Sequence, residues 1–214
     1  MDFNIAIDGP AGSGKSTIAN ILANKYNLMY INTGAMYRAV TLFAKENNIR
    51  PEDTEKLSQL INDLQMHFEK EKLIVNGEEV NDKITMPEIS NSVSDYAKVQ
   101  IVRELLVEAQ KKLGKEYNVI MDGRDIGTNV LTDAKYKFFL TANPEERAKR
   151  RYLELTNKGI EVKLEDILND IIKRDLIDST REISPLKKAD DAIEIDTSKL
   201  NIDDVVNYIC EYIE

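Results

Sequence analysis

Apolar positions along the chain fall into two alternating textures. Short apolar runs, FNIAID (3–8), LMYIN (28–32), NVIMDG (118–123), YKFFLT (136–141) and DAIEIDT (191–197), have the length and turn-bounded ends of buried strands. Between them the spacing is helical. Ile18, Ile21 and Leu22 recur through to Tyr26, and a second helix is expected from about Ala35 to Asn47. Pro51 is expected to open a third, with Leu57, Leu60, Ile61 and Leu64 on one side. Helices resume after Pro87 and run to Gly114, a residue suited to a helix C-terminus. Ile202, Val205, Val206, Ile209 and Ile213 stripe a last helix that also carries Cys210. Strands alternating with helices predict an α/β fold, a five-stranded parallel sheet with helices on both faces.

One stretch breaks the rhythm. In LQMHFEKEKLIVNGEEV (64–80) Met66 and Phe68 alternate with polar residues, and Asn76-Gly77 is a hairpin signal. A small antiparallel β insertion is expected at about 65–82, with His67 on its polar, solvent-facing phase.

Composition adds mainly exclusions. The 214 residues carry 42% apolar and 31% charged side chains with no biased tract, as in an ordinary soluble globular protein. Apolar runs are too short to span a membrane, and MDFNIAIDG lacks the basic start of a secretion signal. The single cysteine excludes an internal disulfide and fits a reducing cytoplasm, and the single histidine excludes a histidine-based triad or a multi-histidine metal site. A net charge of −9 speaks against nonspecific nucleic-acid binding. Any polyphosphate site must therefore concentrate positive charge locally.

Gly9-Pro10-Ala11-Gly12-Ser13-Gly14-Lys15-Ser16, followed by Thr17, matches G-x-x-x-x-G-K-[ST] in full, between a predicted strand and a predicted helix. Bare glycines let backbone N–H groups turn inward around phosphate oxygens, and the helix adds the positive end of its dipole. Lys15 is placed to reach the β and γ phosphates of ATP and Ser16 to ligate Mg²⁺. No N-K-x-D guanine motif is present, and the VIMD strand leads into GRDIGT rather than ending in Asp-Glu. Neither a GTP switch nor a mechanical ATPase is indicated.

The basic side chains include only nine arginines, in unusual company. Arg38 follows the second strand, Arg103 lies in the helix after the insertion, and Arg124 ends a core strand. Arg147, Arg150 and Arg151 share one helix face, and Arg174 and Arg181 flank Asp178. Guanidinium is preferred to ammonium where phosphate is held bidentately in fixed orientation. With the phosphate cradle, these residues suggest a donor and an acceptor phosphate site facing one another.

IAIDGPAGSGKST, NTGAMYRAVT, MDGRDIGT, EERAKRR and KRD…DSTREISPL, in this order and spacing, resemble the bacterial-type cytidylate kinases across essentially the whole chain. These are nucleoside monophosphate kinases with an insertion in the acceptor domain. The resemblance implies a P-loop core of residues 1–35, 105–145 and 163–214, an acceptor-binding segment of 36–104 and a lid of 146–162. It implies that Arg38, Arg124 and Arg181 hold the acceptor phosphate and that Ser94, Arg103 and Asp125 read the cytosine. An aspartate accepting from the exocyclic amine, and arginine donating to the ring acceptors, suit that base. Asp178, oriented by Arg174, would bond the ribose hydroxyls. Lid arginines would neutralise the transferring phosphoryl group; spacing does not select among the three, and Arg147 and Arg151 are favoured. DTSKLN (196–201) resembles the family's adenine-side loop.

Two positions depart from the family. Asn32 stands where an aspartate is common, and Ala11 where a serine is frequent. The implied reaction is ATP with CMP or dCMP to ADP with CDP or dCDP, assisted by Mg²⁺, in a cytoplasmic monomer with no nucleic-acid or membrane partner. A related kinase for UMP or another acceptor, and an ATP-binding regulator without transfer, are the rival readings.

Overall fold

Residues Ile5–Asp8 form β1, and their side chains alternate between two cores. Ile5 and Ile7 face one side of the sheet and Ala6 the other, the period of two that strands impose. The computed structural model describes residues 3–213; Met1 and Asp2, at the start of the MDFNIAIDG segment, lie outside the described residues.

Five strands build the main sheet: β1, β2 (Met29–Asn32), β6 (Val119–Gly123), β7 (Tyr136–Thr141) and β8 (Ile193–Asp196), in the order β2-β6-β1-β7-β8. All four pairings are parallel. Helices α1 (Lys15–Tyr26) and α9 (Ile202–Ile213) pack Ile18, Leu22, Val205 and Ile209 against Ile5, Ile7, Ile120 and Phe138. On the opposite face, α2 (Thr33–Glu46), α3 (Thr54–Asp63) and α6 (Gln100–Glu116) bury Met36, Val40, Leu57 and Leu106 with Ala6, Ile31, Val119 and Met121. Both faces are covered, as the near-continuous apolar strands require.

The predicted insertion is a three-stranded antiparallel sheet of β3 (Met66–Glu69), β4 (Lys72–Val75) and β5 (Glu78–Glu79). Asn76 and Gly77, at φ 51° and 84°, make the tight turn that the sequence signalled. Leu73 and Val75 fasten this sheet to Ala39 and Leu42 of α2, with Ile84 of α4 (Asn81–Thr85) and Ile89 of α5 (Pro87–Ala97). His67 is exposed beside Glu69, at 3.3 Å. Helices α7 (Pro144–Asn157) and α8 (Leu164–Thr180) form a hairpin with its own cluster of Ala148, Leu155, Ile167 and Ile171. Cys210 is buried in α9.

Four expectations about element boundaries need correction. The second helix starts at Thr33 rather than Ala35, because the Asn32 side chain caps it by accepting from the Ala35 N–H at 2.9 Å. Pro51 opens a turn, not a helix: the Asp53 N–H returns to the Arg50 carbonyl at 3.0 Å, and α3 begins at Thr54. The helical stretch after Pro87 breaks between Ala97 and Gln100, and α6 continues past Gly114 to Glu116. Gly114 is not a cap; a Cβ there would stand 2.5 Å from Leu131 Cδ2, so glycine admits a close neighbour. A turn of π-helix, Ile126–Val130, was not anticipated.

Gly9 leaves β1 at φ 145°, and a Cβ there would be driven into the Leu140 carbonyl oxygen of β7. Backbone, unlike a flexible side chain, cannot step aside. Gly9→Ala is expected to cost about 2–4 kcal/mol; a urea-unfolding midpoint equal to that of the wild type would show that β7 gives way.

Candidate active site

Parallel strands β1 and β6 are neighbours in register, with Asp8 opposite Gly123, so the loops leaving their C-terminal ends emerge side by side. The first is Gly9–Gly14. It leads into α1, whose start has no side-chain cap, so its amides are free to serve an anion. The second carries Arg124 and Asp125. Ligand sites in open α/β sheets form at this edge.

Lys15 is buried, its ammonium donating to the Pro10 carbonyl at 2.6 Å and the Ser13 hydroxyl at 3.3 Å. Burial, with the Arg124 charge nearby, holds it well below the ordinary lysine range. Anionic phosphate would reverse that strain. Ser16 Oγ donates to Asp122 Oδ2 at 2.9 Å, and the Tyr30 hydroxyl donates to Asp122 Oδ1 at 2.8 Å. Burial and the adjacent Asp122 push the Tyr30 phenol up, keeping it a donor. Asn32 Nδ2 donates in turn to Tyr30 Oη at 3.2 Å. Because Ser16 gives its proton to Asp122 and accepts only a long contact from Asn32 Nδ2, at 3.5 Å, it keeps a lone pair for a cation. A hydroxyl beside a carboxylate is a hard oxygen set that fits Mg²⁺ brought in with ATP phosphates.

A cleft opens beside the Arg124–Asp125 loop, lined by Thr33, Ser94, Arg103, Arg124, Asp125 and Asp178, among others. Two buried carboxylates organise it. Asp125 pairs with Arg103 at 2.5 Å and with Arg181 at 3.5 Å. Asp178 meets Arg124 at 2.9 Å, Arg181 at 3.7 Å and Arg174 at 3.9 Å, and accepts from the Ser94 hydroxyl at 3.4 Å. Burial alone would raise the Asp178 pKa, but Arg124, Arg174 and Arg181 hold it below the usual carboxylate range. Burial, with Arg124 nearby, lowers Arg38 to about 10 and Arg174 to about 9. Among the described residues, the buried Nε atoms of Arg38, Arg103 and Arg174 have no hydrogen-bond acceptor. Buried donors are nearly always paired, so this cleft is built for an anion.

The lid triplet does not act as one unit. Arg147 is buried, paired with Asp175 through both terminal nitrogens (3.1 and 2.5 Å) and donating to the Ala11 carbonyl at 3.1 Å and Ala142 at 2.8 Å. Arg150 turns to the loop after β8 and donates to the Thr197 carbonyl at 2.6 Å; Thr197 itself donates to the Ser13 carbonyl at 3.1 Å. Arg151 pairs with Glu154 at 2.7 Å and reaches the Thr85 carbonyl at 3.1 Å.

The family model described as Cytidylate kinase matches residues 5–214. The chain belongs to the cytidylate kinase family. It is 64% identical over 213 residues to the Cytidylate kinase of Clostridium acetobutylicum, spanning 100% of this chain and 98% of that protein. Identity to the Cytidylate kinase of Clostridium botulinum (strain Okra / Type B1) is 58% over 214 residues, spanning 100% and 99%. Shikimate kinase from Bacteroides thetaiotaomicron superposes with a TM-score of 0.51 at 12% identity, over 98% of this chain and 97% of that one, and shares the fold.

In this cytidylate kinase family member, sequence patterning missed several residues that shape the site. Asp122, Tyr30 and Asp175 gave no signal of their own, since their partners lie far away in the chain. Asp8 is the clearest case. Its oxygens accept from the Ile126 and Gly127 N–H groups at 2.8 and 2.7 Å, which ties the end of β1 to the loop carrying Arg124 and Asp125. Its position directly before Gly9 was the only available hint.

Burial, aided by the Asp125 charge, pushes Asp8 up to about 7 against the pull of those two N–H donors. The folded chain therefore keeps a proton that the unfolded chain releases near 3.8. This contribution to stability is full below the unfolded value and is lost as pH rises through about 7. The stability advantage of wild type over Asp8→Asn is expected to shrink between about pH 5 and about pH 8. Urea unfolding of both proteins at the two pH values checks this, and a constant or growing difference would contradict it.

Proposed function

We propose that the chain transfers the γ-phosphoryl group of ATP to CMP and dCMP, yielding ADP with CDP or dCDP. The observation that carries this reading is the surplus of guanidinium charge at the cleft. Four arginines (Arg103, Arg124, Arg174 and Arg181) surround the carboxylates of Asp125 and Asp178, Arg38 lies near Arg124 and Asp122, and the Nε donors of Arg38, Arg103 and Arg174 have no acceptor. A phosphate dianion is the ligand that such a surplus accommodates.

Arg38, Arg124 and Arg181 hold the acceptor phosphate, while Arg174 keeps Asp178 oriented toward the ribose hydroxyls. Ser94, Arg103 and Asp125 take the cytosine, the carboxylate accepting from its exocyclic amine. A carbonyl in place of that amine would face an acceptor with nothing to donate, which disfavours the UMP alternative. On the donor side, Gly9–Thr17 cradles the ATP phosphates, with Pro10 and Ala11 in the turn and Lys15 at the β and γ positions. Ser16, with Asp122 behind it, would hold Mg²⁺ brought in with ATP, a cation that would supply charge to offset the phosphates. No general base is required, because the attacking phosphate oxygen is already an anion. Catalysis is positioning plus charge neutralisation.

Residues 146–162 close as a lid over the core of 1–35, 105–145 and 163–214, and 36–104 carries the acceptor. Arg147 adds its charge behind the P-loop and Arg151 from the outer side. These segments meet through Arg151 on Thr85, lid to acceptor segment, and through Asn91 donating to Asp170 at 2.9 Å, acceptor segment to core. The enzyme acts as a cytoplasmic monomer without nucleic acid, its lid and acceptor segment needing free surface. No described helix is long and apolar enough to cross a membrane.

An ADP-release assay comparing CMP, dCMP, UMP and AMP tests the assignment. CMP and dCMP are expected to turn over fastest; a preference for UMP or AMP would remove the base-reading roles, and no turnover would favour the regulator reading. Arg124→Met should lower kcat/KM for CMP by about 100-fold or more while ATP affinity changes by no more than about threefold. An equal loss on both substrates would place Arg124 outside the acceptor site.

A further inference from the structure

The two oxygens of Asp125 are not equivalent. Oδ2 accepts from Arg103 Nη2 at 2.5 Å and from Asn129 Nδ2 at 3.2 Å, whereas Oδ1 has Arg181 Nη2 at 3.5 Å, the far limit of a hydrogen bond. A carboxylate offers about four lone-pair positions, two on each oxygen. Oδ2 is therefore filled, and the open acceptor lies on Oδ1, in a residue that lines the cleft.

Asn129 reaches Asp125 through the π-helical turn. Its N–H donates to the Asp125 carbonyl at 2.9 Å, which brings the side chain four residues on back to the carboxylate. Its side-chain Nδ2, besides meeting Asp125, donates to Ser184 Oγ at 3.0 Å. Ser184 is held at φ 50°, a conformation uncommon for serine, and its carbonyl accepts from Arg181 Nε at 2.7 Å. Asn129 thus links the base-reading carboxylate to the turn that fixes a phosphate-holding arginine. Neither Asn129 nor Ser184 lines the cleft.

Taking Asp125 as the cytosine acceptor, as proposed above, we infer that Asn129, held by Ser184, is a specificity-determining positioning residue. By filling Oδ2 together with Arg103, it leaves Oδ1 as the open acceptor for the nucleobase. A base with an exocyclic amine at that position is accepted and one with a carbonyl is refused. Without Asn129 the carboxylate can rotate away from the base, and discrimination falls.

Steady-state kinetics with CMP and UMP on Asn129→Leu, Ser184→Ala and Asp125→Asn test this. Asn129→Leu is expected to lower the CMP-over-UMP ratio of kcat/KM by about tenfold, mainly through KM for CMP, with KM for ATP within about twofold of wild type. Ser184→Ala, the milder change, should lower the ratio by about threefold and gives the answer if the leucine variant fails to fold. A merely structural role would weaken CMP and UMP alike; an unchanged ratio in both variants overturns the inference. If Asp125→Asn collapses the ratio while those two keep it, the base reading stands and Asn129 has no part in it. If Asp125→Asn also keeps the ratio, the base reading falls, and the role of Asn129 with it.

Discussion

Asp125 and Asp178 are the fixed points of this site. Each is buried, and each is paired with more than one guanidinium. A lone buried carboxylate would be costly, and so would a lone buried arginine; together they hold one another in place. The pairing is deliberately unequal. Two negative charges cannot neutralise four arginines, and the remainder is a preorganised demand for an anion. Removing either carboxylate would leave like charges facing each other in a desolvated cleft, a change that commonly costs about 3–5 kcal/mol.

Sheet topology explains why donor and acceptor sites are adjacent. β1 and β6 lie side by side in parallel register, so the phosphate cradle after Asp8 and the Arg124–Asp125 loop after Gly123 leave the same edge. Asp8 then binds the second loop through two backbone N–H groups. A chain that is acidic overall can thus present concentrated positive charge at one edge. The fold itself is shared with shikimate kinase at 12% identity, so it cannot specify the acceptor. That choice lies in side chains mounted on it.

The α7–α8 hairpin shows how one helix serves three neighbours. Arg147, Arg150 and Arg151 share a face in sequence terms, yet they end on the P-loop, the loop after β8 and the end of α4. Helical spacing fixes where a side chain departs; the long guanidinium arm and the carbonyls within its reach fix where it arrives. Asp175 holds Arg147 and lies next to Arg174, so α8 touches the glycine-rich loop's neighbour and the arginine cleft together.

The sequence by itself determined the layered fold, because buried strands and amphipathic helices have different periods and a glycine-rich loop between them has one common use. It also determined the hairpin at Asn76-Gly77, where only a few residues tolerate the turn. The arginines of the site were legible as a set, since guanidiniums near a phosphate cradle have restricted chemistry. Boundaries at Pro51 and Gly114 were not, because proline suits turns as well as helix starts, and a glycine can answer a distant neighbour such as Leu131. The clamp of Asp8 on Ile126 and Gly127, the pairing of Arg147 with Asp175 and the link from Asn129 to Ser184 were decided only by the tertiary structure. Each joins residues far apart in the chain, and hydrogen bonds depend on distances and angles that local spacing does not contain.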